Sequence, residues 1–187
     1  MKEIELKTMI DHQEFARIYQ ILKEINSNSF IQINYYYDTP GKDFTKNNET
    51  LRVRQKGAQL VLQHKYKKVS NGNIRFAEEY SEPLDGLKLF MEYKQQIVKL
   101  LGELVTYRQE FCVESAIICL DTNYYLGHID YELEIEAKSI EIINRISEEL
   151  LVEKKEIQGK HKRFMNRLFE LEQCSKGEIK NGEKTYI

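Results

Sequence analysis

The stretch YELEIEA, residues 131–137, alternates strictly between glutamate and apolar or aromatic side chains. Successive side chains of a β-strand point to opposite faces, so this alternation predicts a strand whose two faces differ in character. One face would carry Glu132, Glu134 and Glu136, and the other would carry Leu133 and Ile135. The strand therefore has an apolar face for a core and a face made of carboxylates.

The same alternation recurs along the chain, with both signs of charge. Taken singly, each charged strand face is typical of a solvent-exposed surface, because Lys, Glu and Arg are almost always exposed. Like charges directly opposite one another destabilise a sheet, so the joint pattern favours a ligand bound between them. The charged strand positions are Glu3, Glu5, Lys7, Arg52, Arg54, Lys65, Lys67, Arg108, Glu110, Glu132, Glu134 and Glu136.

Short turns separate most of the predicted strands, which requires antiparallel pairing because parallel neighbours need long crossovers. The predicted class is α+β, dominated by antiparallel sheet. Strands are predicted over 3–9, 31–38, 50–56, 59–67, 74–81, 104–114, 116–121 and 127–137, and helices over 11–25, 86–101, 139–151 and 160–173. We expect a single domain over residues 1–174 and a loose tail over residues 175–187.

Two architectures fit this alternation. One is a sheet with a solvated charged face and helices on its apolar face, and the other is a barrel with helices outside and a charged lumen. The barrel would suit a polyphosphate, because carboxylates hold Mg²⁺ and cations neutralise phosphate oxygens. The sequence pattern alone does not distinguish between these two architectures.

Composition narrows the class of protein. The 187 residues carry 28 Lys+Arg and 30 Asp+Glu, so a net charge of −2 provides no overall field for nucleic acid or an anionic membrane. No apolar run approaches the roughly 18 residues of a membrane-spanning helix. Three cysteines without a CxxC pair fit a reducing cytoplasm, and we expect them to be small buried residues. The sequence predicts a soluble cytoplasmic protein. It does not decide the oligomeric state, for which a homodimer is one option.

Several segments together resemble the CYTH domain, or triphosphate tunnel metalloenzyme, superfamily. Residues 3–7, EIELK, match its ExExK motif, and residues 51–54, LRVR, match its LRxR strand. The resemblance extends over about Met1 to Phe164, in matching order. The other matching segments are Tyr37–Thr39, Val61–Lys65, Arg108–Glu110, Leu120–Asp121, Tyr131–Ala137 and Gly159–Phe164.

The resemblance implies an eight-stranded antiparallel barrel whose tunnel binds a triphosphate and a divalent metal, Mg²⁺ or Mn²⁺. It implies that a set of cations binds the phosphates and stabilises the reacting charge: Lys7, Arg52, Arg54, Lys65, Arg108 and Lys160. It assigns the metal to Glu3, Glu5, Glu134 and Glu136, with Glu132 and Asp121 as further candidates. The family's mid-chain Arg-x-Glu-x-Glu spacing is broken at residues 75–80, so either Glu78 or Glu79 could face the tunnel.

The resemblance favours metal-dependent hydrolysis of a triphosphate, in which water attacks a terminal phosphorus. Inorganic tripolyphosphate, a nucleoside triphosphate and thiamine triphosphate all remain possible substrates. One branch of the family makes cyclic AMP, so adenylate cyclisation is an alternative. A non-catalytic polyphosphate or nucleotide sensor, and a structural sheet that binds a protein partner, are the others.

Overall fold

The structure is a computed structural model that describes residues 4–71, 74–153, 155 and 157–182. The side chains of residues 67–71, 74–77 and 175–182 lie outside this description, as does the predicted ligand Glu3. In the described part of the chain the strands are β1 (Ile4–Ile10), β2 (Ser27–Asp38), β3 (Thr50–Lys56), β4 (Gln59–Asn71), β5 (Ile74–Leu84), β6 (Phe90–Tyr93), β7 (Gln96–Val113), β8 (Ala116–Tyr125) and β9 (His128–Ala137). The helices are α1 (His12–Leu22), α2 (Asp43–Lys46), α3 (Ile140–Glu149) and α4 (Lys160–Gly182).

The strands form one antiparallel sheet in the order β1-β9-β8-β7-β2-β3-β4-β5, and β6 pairs with β7 beside this path. The eight strands of the path correspond to the eight predicted from the alternation. The predicted class, α+β with a dominant antiparallel sheet, is therefore confirmed. Among the described strands, β1 and β5 are the two end strands of this path.

The apolar faces of β1, β8 and β9 pack against helices. Leu133 and Ile135 on β9 share a buried core with Ile18 of α1 and Ile143 of α3. Asp11 fixes the start of α1 through a capping box, in which the Asp11 carboxylate accepts from the Glu14 backbone N–H and the Glu14 carboxylate accepts from that of Asp11. Because the helices cover the apolar side, the glutamates of β9 lie on the opposite side of the sheet.

The segment 86–101, which we predicted to be a helix, is instead β6 followed by the start of β7. Lys94 and Gln95 form the two-residue connection and both have positive φ, 48° and 62°. Such turns match the twist of a hairpin and usually contain Gly or Asn. Because this turn contains lysine and glutamine instead, the sequence carries no signal for it. Tyr93 and Val98 are buried, whereas Glu92, Ile97 and Lys99 beside them are exposed, which is the alternation of a strand.

The cysteines do not share one environment. Cys119 is buried, as predicted, and burial raises the pKa of its thiol to about 12. The prediction is wrong for Cys112 and Cys174, which are exposed. Cys112 lies one residue before the end of β7.

The chain divides into two compact units, Met1–Ile157 and Gln158–Ile187. The second unit contains α4, where Arg163 Nη1 donates to the Gln158 carbonyl at 2.6 Å and Asn166 Nδ2 to Gln158 Oε1 at 2.8 Å. Because α4 runs past residue 174, the boundary between a domain ending there and a tail stays a prediction. Across the described residues, helices with the length and apolarity needed to traverse a bilayer are lacking.

Candidate active site

The charged strand positions whose side chains the structure describes lie on one face of the sheet, which we call the charged face. Strand register places Glu5 beside Glu136 and Lys7 beside Glu134 across β1 and β9. Positions that share the parity of these residues therefore line one surface from β1 to β5. The described residues of the charged face that enter the site are Glu5, Lys7, Asn34, Arg52, Arg54, Gln63, Lys65, Glu79, Arg108, Asp121, Glu132, Glu134 and Glu136.

Three carboxylates form a compact group at one side of this face. One oxygen each from Glu5, Glu134 and Glu136 lies within 4.8 Å of the others. Lys7 Nζ lies 3.0 Å from Glu5 Oε2 and 3.1 Å from Glu134 Oε1. Burial, with the neighbouring charges of Glu134 and Glu5, raises the pKa of Glu136. Hard divalent cations prefer oxygen ligands of this kind, so the group fits a Mg²⁺ or Mn²⁺ ion.

Arg108 is held by two carboxylates of the same face. Its Nε and Nη2 donate to the two oxygens of Asp121 at 2.8 and 2.7 Å, and Nη2 lies 2.8 Å from Glu134 Oε2. Burial lowers the pKa of Arg108, but the hydrogen bond that Arg108 donates to Asp121 and the charge of Glu134 outweigh it and raise that pKa overall. Asp121 therefore orients a cation, and neither Asp121 nor Glu132 is a member of the three-carboxylate group.

The pKa of Lys7 depends on a similar balance between burial and neighbouring charges. Burial lowers the pKa of its ammonium group, and the charges of Glu134, Glu5 and Glu132 raise it to a larger extent. The cation is thus held beside the carboxylate group in its charged form. This side of the face contains both the cations and the carboxylates that neutralise them.

Arg52 and Arg54, in contrast, have neutral partners. Arg52 Nε donates to Gln63 Oε1 at 2.9 Å, and Arg54 Nε donates to Asn34 Oδ1 at 3.1 Å. Neither guanidinium forms an ion pair with a carboxylate in the part of the chain that the structure describes. Burial lowers the pKa of Arg52, and burial together with the charge of Arg52 lowers that of Arg54 to about 10. Two neighbouring arginines whose direct hydrogen-bond partners are neutral amides can bind an anion.

The register of β4 and β5 distinguishes the two glutamates that the sequence left open. Lys65 pairs with Glu79, and Tyr66 pairs with Glu78. Lys65 Nζ lies 2.8 Å from Glu79 Oε2, and Gln63 Nε2 donates to Glu79 Oε1 at 2.7 Å. Burial raises the pKa of Glu79, while the hydrogen bond and charge of Lys65 lower it further than burial raises it. Glu79 is therefore the glutamate on the charged face.

The structure brings most of the predicted residues together, with two exceptions. Glu3 is not among the described residues, and Lys160 begins α4 in the second compact unit. Sequence reasoning missed Asn34 and Gln63, the amides that hold the arginine pair. Their positions could have signalled a role, because Gln63 lies two residues before Lys65 and therefore on the same face.

Comparisons with known proteins identify the family of this chain. Residues 1–169 match the CYTH domain family. A protein of Bacillus subtilis (strain 168) named "Putative triphosphatase YjbK" is 32% identical over 147 residues, which cover 72% of this chain and 77% of that protein.

Solved structures share the fold. A candidate adenylate cyclase from Bacillus halodurans has a TM-score of 0.69 at 26% identity, covering 88% of this chain and 99% of its own. A candidate adenylyl cyclase from Hippeastrum, described as having a dominant triphosphatase activity, has a TM-score of 0.71 at 19% identity, covering 88% and 96%. These structural matches confirm the predicted antiparallel tunnel fold. With the family match spanning most of its length, the chain belongs to the CYTH domain family.

Proposed function

We propose that the protein hydrolyses a small-molecule triphosphate with the help of a divalent metal ion. The observation that carries this proposal is that one sheet face holds both a three-carboxylate group and an arginine pair, Arg52 and Arg54, whose direct hydrogen-bond partners are neutral. A triphosphate bound with a cation needs both kinds of surface. The triphosphatase name of the B. subtilis relative and the activity reported for the Hippeastrum protein support the same reaction.

Glu5, Glu134 and Glu136 would hold the metal, with Glu3 as a fourth candidate. The three described carboxylates repel one another at their observed spacing, which a cation between them would relieve. A divalent ion supplies charge neutralisation for phosphate oxygens and helps to position water. Lys7 already compensates part of this negative charge in the structure.

The cations of the face would bind the phosphate chain and stabilise the charge that develops on it. Phosphoryl transfer depends mostly on positioning and electrostatic stabilisation, so a side chain held in place before the substrate binds is effective. Arg108 is fixed by the carboxylate of Asp121, whereas Arg52 and Arg54 are fixed by neutral amides. The proposed phosphate-binding set on the charged face is Lys7, Arg52, Arg54, Lys65 and Arg108, and the role of Lys160 stays a prediction from the family resemblance.

Adenylate cyclisation is the second candidate, because the candidate cyclase from B. halodurans is 26% identical to this chain. Both reactions need the same contacts to the phosphates. They differ in the nucleophile, which is water for hydrolysis and the ribose 3′-hydroxyl for cyclisation.

Phosphate release from inorganic tripolyphosphate, ATP and thiamine triphosphate tests the proposal, with Mg²⁺, Mn²⁺ or EDTA present. We expect metal-dependent release that EDTA abolishes and that Lys7→Ala reduces by about 100-fold, because Lys7 is a cation held beside the carboxylate group and would stabilise charge on the phosphates. Arg145→Ala is the matched control, since Arg145 is an exposed residue of α3 paired with Glu114 and Glu149. Cyclic AMP and pyrophosphate as products of ATP would favour the cyclase. Thermal stabilisation by tripolyphosphate without turnover would favour a sensor.

Glu136→Gln tests the metal site with little disturbance of the neighbouring cations. Unlike Glu134, Glu136 forms no ion pair with the described residues, so its loss leaves Lys7 and Arg108 with their partners. We expect the Mg²⁺ or Mn²⁺ concentration for half-maximal activity to rise by about 10-fold or more, with maximal activity less affected. A metal titration of phosphate release measures this, and an unchanged midpoint would remove Glu136 from the metal site.

A further inference from the structure

Asn34 is a buried amide of the charged face whose nitrogen has no partner among the described residues. It lies on β2 opposite Arg54 of β3 and is 0% exposed. Its Oδ1 accepts from Arg54 Nε at 3.1 Å, while its Nδ2 is buried without an acceptor. Buried polar groups are nearly always hydrogen-bonded, so an unsatisfied donor at this position requires an explanation.

The orientation of the Asn34 amide follows from the chemistry of its neighbour. A guanidinium has only donors, so the atom of Asn34 that faces Arg54 Nε must be the oxygen. Turning the amide over would place two donors against each other. The nitrogen is therefore the atom left for another acceptor.

Two other amides on this face show that an unsatisfied nitrogen is not the rule here. Gln63 holds Arg52 in the way that Asn34 holds Arg54, yet Gln63 Nε2 donates to Glu79 Oε1 at 2.7 Å. Asn123 is also fully buried, and its Nδ2 donates to Asp130 Oδ1 at 2.9 Å. Asn34 therefore differs from both amides, because its Nδ2 has no acceptor among the described residues.

We propose that Asn34 Nδ2 donates a hydrogen bond to an oxygen of the bound phosphate chain, beside Arg54, while Asn34 Oδ1 positions Arg54. This inference rests on the proposed function, which supplies the anion. The ligand at this point must be an acceptor that carries negative charge, because the adjacent Arg54 and Arg52 are cations whose direct hydrogen-bond partners are neutral amides. Phosphate oxygens meet both requirements.

The side-chain amide signal of Asn34 tests the hydrogen bond directly. We would follow the ¹⁵N–¹H signals of the wild-type protein during titration with inorganic tripolyphosphate in EDTA, so that no metal contributes. We expect the Asn34 NH₂ signals to shift with the ligand, while those of Asn123 stay in place because its donor already has an acceptor.

Binding measurements separate the hydrogen bond to the ligand from the positioning of an arginine. Asn34→Leu and Gln63→Leu each remove the acceptor of one arginine, but only Asn34→Leu also removes the proposed donor. By calorimetry with tripolyphosphate, we expect Asn34→Leu to weaken binding by roughly 10- to 100-fold and Gln63→Leu by less than about 10-fold. If Asn34→Leu fails to fold, the amide signal of the wild type decides alone.

The outcomes distinguish this inference from the function on which it rests. Tripolyphosphate binding that Arg54→Ala weakens, with an unmoved Asn34 signal, would overturn the role of Asn34 and leave the proposed function standing. Failure of the wild-type protein to bind tripolyphosphate would overturn the proposed function, and the role of Asn34 with it.

Discussion

Replacing Arg52 with alanine is expected to reduce triphosphate turnover by about 100- to 1000-fold, with a ligand-free stability equal to or above that of the wild type. Removing one preorganised donor to a developing charge typically has this effect on rate. The stability expectation follows from burial, which lowers the pKa of Arg52, and from its neutral partner Gln63. A buried cation whose direct hydrogen-bond partner is neutral contributes little to the stability of the folded state.

Phosphate release and thermal unfolding of the same samples measure the two effects of Arg52→Ala. Arg145→Ala again provides a charge deletion outside the charged face, and it should retain full turnover. Arg52→Lys keeps the charge but loses the planar fork of donors, so we expect it to recover only part of the rate. Wild-type turnover in Arg52→Ala would remove this arginine from the site.

Replacing Asp121 with asparagine is expected to destabilise the protein by about 3 kcal/mol, which lowers the unfolding temperature by roughly 6–12 °C. Asp121 is fully buried and binds Arg108 through both carboxylate oxygens. The amide would present a donor to a guanidinium that has only donors, which leaves a buried charge without one of its partners. Breaking one side of a buried ion pair is among the larger effects of a single substitution.

Urea denaturation followed by circular dichroism measures this loss. The double variant Arg108→Met with Asp121→Asn completes a mutant cycle, and we expect it to be more stable than Asp121→Asn alone because the unpaired charge is gone. Wild-type stability combined with a raised metal requirement would instead identify Asp121 as a metal ligand.

Much of the site could be predicted from strand parity and from the family resemblance. The alternation of β1, β3 and β9 is local, so Glu5, Lys7, Arg52, Arg54 and the glutamates of β9 were correctly placed on one face. The segment 86–101 was not predictable in the same way, because its turn at Lys94 and Gln95 lacks the residues that usually adopt positive φ.

The amides Asn34 and Gln63 were missed for a different reason. A neutral amide on a strand carries no signal by itself, since its role depends on which charge the neighbouring strand places beside it. Asn34 matters only because β3 pairs with β2 in a register that brings Arg54 opposite it.

The sequence by itself determined that this protein builds an antiparallel sheet with one apolar and one charged face, because the two-residue period of a strand is a property of neighbouring residues. Only the tertiary structure decided that Arg108 is neutralised by Asp121 and Glu134 while Arg52 and Arg54 face neutral amides. It also decided that Glu79 rather than Glu78 meets Lys65. These outcomes depend on cross-strand register and burial, which join residues far apart in the chain.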